Sequence, residues 1–226
     1  MAAHGTVVAR DALRPEQIRA MFAIMQKYYE NIQWESFVSD LDAKRDVILL
    51  RDADEVIRGF TTLAVYAAGG AQLLFSGDTI VEQNYWGAND LIRAWLNNAL
   101  VHVGKHAGDT YWLLLSKGYK TYKYLPVFLR AFYPCADAET PDFEQSLMDA
   151  FCRERYGEKY QGGVVKAGKD FLKAEIASIG AAHRKDRHTQ FFLAKNPGYA
   201  KGDELVCLAK LSADNLNRAG RRMLGK

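Results

Sequence analysis

The stretch from Tyr111 to Pro134, YWLLLSKGYKTYKYLPVFLRAFYP, sets three lysines (Lys117, Lys120, Lys123) among three tyrosines (Tyr119, Tyr122, Tyr124) just past a short apolar run. No acid occurs between Asp109 and Asp137, so the run ends on a locally positive, phenol-rich surface. Ammonium groups hold anions, and phenols donate protons at high pKa. A bulky apolar run of strand length closing in the polar turn Ser116-Lys117-Gly118 is a common place for a site. Charge with interleaved aromatics also suits single-stranded nucleic acid, but a net charge of +3 over the whole chain is too small to carry that reading, and no nucleic acid is expected.

Other chemistry-bearing groups are weaker. His102 and His106, at i and i+4 on a helical pattern, make half a metal site with no third ligand at a compelling spacing, so no metal is expected. The run 183–188 reads as an exposed polar turn. There is no Gly-x-Ser-x-Gly elbow, which argues against a serine hydrolase. Cys135, Cys152 and Cys207 are odd in number and widely spaced, which suits reduced packing thiols.

The elements that must position these groups follow from periodicity. Residues 7–10 read as a short strand. Arg14-Pro15-Glu16 starts a helix to about residue 29, with Ile18, Met21, Phe22, Met25 and Tyr29 on one face, and a shorter helix covers 34–44. Strands are expected at 47–51, 56–66 and 71–81, joined by polar and Gly69-Gly70 turns, with Ser76-Gly77-Asp78 a bulge or kink. A helix over 90–106 leads into the strand at 111–115. Residues 141–160 are helical until Gly162-Gly163 break the pattern. Over 153–187 nine basic residues stand against five acidic ones, a solvated face. Residues 189–193 and 204–211 read as a closing β-hairpin, and the tail 215–226, with Arg218, Arg221 and Arg222, as frayed.

With 226 residues, 49% hydrophobic and 25% charged, the chain fits one domain with an ordinary buried core. No apolar run reaches the roughly 20 residues of a membrane span, and residues 1–17 lack the layout of a secretory signal, so a cytoplasmic location is expected. The composition leaves the oligomeric state open, a dimer included.

This order of elements resembles the GCN5-related N-acetyltransferase (GNAT) fold: an α+β domain, its mixed and mostly antiparallel central sheet flanked by helices, here with a helical insertion near 140–185. The resemblance covers most of the chain. It implies an acyltransferase that moves an acyl group from a thioester donor to an amine by direct attack. In that family the fourth strand ends in a loop of pattern Q/R-x-x-G-x-G/A, where backbone N–H groups and a helix N-terminus hold the pyrophosphate of coenzyme A. Here the stretch DTIVEQNYWGANDLIRAW keeps Tyr85 and Gly87, but Trp86 stands at the Q/R position, Asn89 at a glycine position and Leu91 at the last small one.

Carried over residue by residue, the resemblance implies donor contacts from Val81, Trp86, Gly87, Ala88, Asn89 and Ser116, with Lys117 and Lys120 helping to hold phosphate. Backbone N–H groups around Val81 would polarise the thioester carbonyl. Tyr122, or its neighbour Tyr119, would protonate the departing thiolate, and Glu82 would take the proton of the amine. The glycine-poor loop leaves the donor open between acyl-CoA and an acyl carrier protein, as in relatives resembling the N-acyl amino acid synthases. The alternative is a non-catalytic GNAT-like module that has lost its cofactor.

Overall fold

A computed structural model describes residues 2–87, 89–166 and 170–225. Strand β1 (Ala3–Ala9) leads into helix α1 (Pro15–Tyr28), the two-residue strand β2 (Tyr29–Glu30) and helix α2 (Trp34–Asp42). Proline opens α1 where a missing N–H costs nothing, and the Gln17 side chain accepts from the Arg14 backbone at 2.9 Å. Then come the antiparallel strands β3 (Asp46–Asp52), β4 (Ile57–Ala68) and β5 (Ala71–Val81), helix α3 (Asp90–Lys105) and strand β6 (Thr110–Ser116). Two short helices, α4 (Tyr119–Tyr122) and α5 (Tyr124–Phe128), precede the longer α6 (Asp142–Tyr156).

After α6 the chain differs from expectation. The segment near 140–185 is not purely helical: it supplies strands β7 (Tyr160–Gln161), β8 (Val164–Val165) and β9 (Phe171–Leu172) before the short helices α7 (Ala174–Ala177) and α8 (Ala181–Arg184). Gly162 and Gly163, both at positive φ, turn β7 into β8. Residues 189–193, expected as a strand, lie in helix α9 (Arg187–Lys195). The Asp186 side chain accepts from the Thr189 N–H at its N-terminus, and Thr189 and Phe192, three apart, face the core. Strand β10 (Glu204–Lys210) therefore has no hairpin partner there; it lies between β6 and β8. The tail is anchored rather than frayed: α10 (Arg218–Met223) is capped by the Asn217 side chain.

The sheet order is β1-β3-β4-β5-β6-β10-β8-β7, antiparallel except for the β5–β6 pair. Strand alternation divides the core into two faces. On one, Val47, Leu49, Phe60 and Ile80 meet α1 and α2, while Leu73, Phe75, Leu113, Val206 and Leu208 meet α6. On the other, Ile48, Leu50, Leu74, Trp112 and Leu114 meet α3, α5 and α9. No helix among the described residues is long and apolar enough to cross a membrane.

Candidate active site

Two features of β5 create the site. Its parallel pairing with β6 ends at Ser76 opposite Leu114, yet β5 runs on to Val81, paired from there only with β4. At the same point Gly77 and Asp78 stand opposite the single residue Thr62, a bulge of the kind expected there. Phe75 and Ile80 consequently face the same side although five residues separate them, which an unbroken strand forbids. Asp78, two residues before Ile80 and in phase with it, lies on the side of α1 and α2. Glycine suits position 77 because a Cβ there would come within 2.6 Å of Thr62 Oγ1 and 2.8 Å of Lys44 Cε.

The gap between β5 and β6 opens into a cavity of about 710 Å³. Its lining comes from both sheet faces: Met25, Phe37 and Asp78 on the α1–α2 side, and Ser76, Thr79, Thr121 and Tyr124 on the other. Three neighbouring strands contribute one charged residue each at the same end of the same face, Asp78 from β5, Lys117 beyond β6 and Glu204 from β10. Asp170 and Tyr29 approach from the small β2–β9 sheet.

Lys117 forms an ion pair with Asp170, lies 3.8 Å from Glu204 and sits over the Tyr29 ring at 5.3 Å. Burial pulls its ammonium down, but Glu204, Tyr29 and Asp170 outweigh that and hold it above the ordinary lysine range. Buried Lys44 pairs with Asp40 at 2.6 Å. Asp78 has no ion pair within 4 Å among the described residues. Burial raises its carboxyl to about 6, reinforced by Asp40, and raises Glu204 to about 7 against the pull of Lys117. A carboxylate titrating near neutrality inside a cavity is matched to proton transfer.

The expected site residues separate into two groups. Val81, Trp86, Gly87, Lys117, Tyr119 and Lys120 line the cavity. Trp86 donates its indole N–H to the Val81 carbonyl at 2.8 Å, and the Lys120 ammonium lies 3.3 Å from the centre of its ring. Tyr122, Glu82 and Ser116 do not line it. Tyr122 is fully buried among Phe132, Phe191 and Phe192, and its hydroxyl donates to the Pro134 carbonyl at 3.0 Å. Its position on α4 points it into the core, while Tyr119 and Tyr124 border the cavity. Glu82 is tied to Lys27 and to Arg58, the latter at 3.2 Å. Ser116 is sealed in the β6–β10 ladder. Asn89 is the exposed N-cap of α3, outside the cavity lining; Ala88 lies outside the described residues. Of the two histidines, His102 faces Asp46 at 3.1 Å.

The loop after β5 spends backbone donors internally. The Gln83 N–H goes to the Tyr28 hydroxyl at 2.7 Å, Tyr85 to the Glu82 carbonyl and Trp86 to the Gln83 carbonyl. Exposed Lys120 and Lys159 stand at the cavity rim instead.

No protein-family model matches the sequence, and no curated protein matches it. Solved structures do. GCN5 from Tetrahymena is 11% identical over 72% of this chain and 91% of its own, with a TM-score of 0.46. Ard1 from Thermoplasma volcanium is 9% identical over 92% and 98%, with a TM-score of 0.44. A GNAT family N-acetyltransferase from Escherichia coli, in complex with CoA, is 15% identical over 55% and 68%, with a TM-score of 0.39.

Sequence reading missed Asp78, Glu204, Asp170 and Tyr29. A signal existed for one of them: Glu204 is in phase with Val206 and Leu208, as the expected Lys117 is with Leu113 and Leu115, so both are charges in core-facing register.

Proposed function

We propose that this protein is an N-acyltransferase that moves an acyl group from a pantetheine thioester, carried by coenzyme A or an acyl carrier protein, to an amine. The observation that carries the reading is the opening of β5 from β6 directly over Asp78. An unpaired strand edge is a template for an extended ligand with amide groups, and the pantetheine arm is one. Its thioester would lie across the gap, with the phosphate end toward Lys120 and Lys159 at the rim.

In the reaction the amine nitrogen attacks the thioester carbon. A C–N bond forms, the C–S bond breaks, and the thiol leaves. Asp78 accepts the proton that the amine gives up, and the phenol of Tyr119 or Tyr124 supplies one to the departing thiolate. Holding both reactants in one cavity contributes orientation.

Free-thiol release is the test, with acetyl-CoA and an acetylated acyl carrier protein as separate donors and a mixed amine pool as acceptor. Amine-dependent release with either donor is expected. No release and no donor-induced rise in melting temperature would leave the non-catalytic binding module in its place.

A further inference from the structure

One aromatic side chain bridges the two walls of the β5–β6 gap. Glu82, the residue after β5, donates its backbone N–H to the Arg58 carbonyl of β4 at 2.8 Å. Backbone groups of successive strand residues point to opposite edges, so the carbonyl of Val81 faces the gap. Val81 closes β5, which makes its carbonyl the last acceptor on the free edge, and the indole N–H of Trp86 holds it at 2.8 Å. The same ring lies 3.3 Å from the ammonium of Lys120, on α4 just past β6, and the Tyr28 ring flanks it at 6.5 Å. Trp86 thus ties the end of β5 to the start of α4 across the opening.

Both ties are of a kind that a ligand can exchange. Trp86 is 41% exposed, so its ring is not locked into the core. Lys120 has no ion pair among the described residues, and partial burial lowers its ammonium. A phosphate is a stronger partner for that ammonium than an aromatic face. A Cβ on the neighbouring Gly87 would meet nothing within 4 Å, so the space beside the ring is open. We propose that Trp86 is a gate over the donor's slot. Closed, its indole occupies the edge acceptor that a pantetheine amide pairs with, and its ring engages the lysine that meets the phosphate. An anion at the rim draws Lys120 off the ring, the indole swings out while the backbone of 82–86 stays held, and the Val81 carbonyl receives the incoming amide. This rests on the acyltransferase reading of the gap and concerns access to it.

The test labels the full chain with fluorotryptophan, whose fluorine NMR signals report Trp34, Trp86, Trp95 and Trp112 separately, with Trp86→Phe assigning the gate. Inorganic pyrophosphate or CoA should shift the Trp86 signal and leave those of buried Trp95 and Trp112 in place. Lys120→Gln should shift it in the same sense without ligand. In stopped-flow binding, Trp86→Ala should speed CoA association about tenfold, the excess of closed over open that one hydrogen bond and one exposed cation–π contact maintain. Melting curves check that both variants fold. A Trp86 signal unmoved by both ligands or by Lys120→Gln, or slower and weaker CoA binding by Trp86→Ala, as for a simple stacking platform, overturns the gate. If pyrophosphate and Lys120→Gln move the signal but CoA does not bind, the donor reading falls and the gate stands.

Discussion

Two strand ends in this molecule meet the same side of the sheet and differ in what they leave unsatisfied. Past the end of β5, residues 82–86 are satisfied by their neighbours: the Glu82 carboxylate is held by Lys27 and Arg58, and the N–H groups of Glu82, Gln83, Tyr85 and Trp86 all have partners. At the bulge within β5, and at the ends of β6 and β10, the charges of Asp78, Lys117 and Glu204 turn into a cavity with an unequal share of counter-ions. A satisfied loop shapes a wall, whereas an unsatisfied floor has capacity left for a ligand. Glu82, where the GNAT resemblance puts the base for the amine, is therefore better satisfied than Asp78 in the strand leading to it.

The sharpest way to break this contrast is to remove one carboxylate from each region. Asp78→Asn should lower turnover in the thiol-release assay by roughly a hundredfold to ten-thousandfold, the range for losing a general base. Glu82→Gln should change it by about twofold at most, as for a carboxylate outside the chemistry. Comparable losses in the two variants would erase the distinction.

Stability against pH probes the floor from another side. Asp78 faces Asp40 and Lys44 from the α2 side, Lys117 beyond β6, and Asp170 before β9. Its carboxyl rises from 3.8 to about 6 on folding, and that of Glu204 from 4.5 to about 7, each mainly through burial. The folded state thus binds protons more tightly than the unfolded chain, so stability declines as pH climbs from about 4 to about 7. Asp78→Asn should relieve its share, on the order of 3 kcal/mol at pH 8 and little near pH 4, read by urea denaturation. An equal gain at both pH values would mean that ionisation of Asp78 is not its source.

The smallest effect belongs to Tyr122. Tyr122→Phe removes one hydrogen bond to Pro134 and should cost about 1 kcal/mol of stability with turnover unchanged. Slowed turnover in a variant of native stability would return this phenol to the mechanism.

Much of this architecture is legible in the sequence. The three-strand meander, the helix over 90–105, the strand at 110–116 and the bulge near Gly77 all carry local signals in period and turn residues. Residues 189–193 do not: a run of Thr, Phe and Leu satisfies strand and helix alike, and the deciding contacts, the Asp186 cap and the burial of Phe192, lie outside a strand-length window. The site divides the same way. Lys117, Lys120 and Tyr119 announce themselves by composition and Trp86 by the pattern of the resemblance, and all reach the cavity. Tyr122 and Tyr124 look equivalent in sequence, and only helix phase separates the packed one from the one at the cavity. Glu204 stands out only by its phase with Val206 and Leu208, and Asp78 is an ordinary carboxylate until the bulge is known.

The bulge at Gly77 also makes two properties of the strand separately heritable. Loss of that one residue would restore regular alternation from Phe75 through Ile80 and leave Asp78 aimed as it is now, yet it would straighten the backbone where β5 parts from β6. The direction of the carboxylate is set by its phase with Ile80, while the width of the opening is set by the extra residue and its kink, so the proton acceptor and the donor's entrance can change independently of one another.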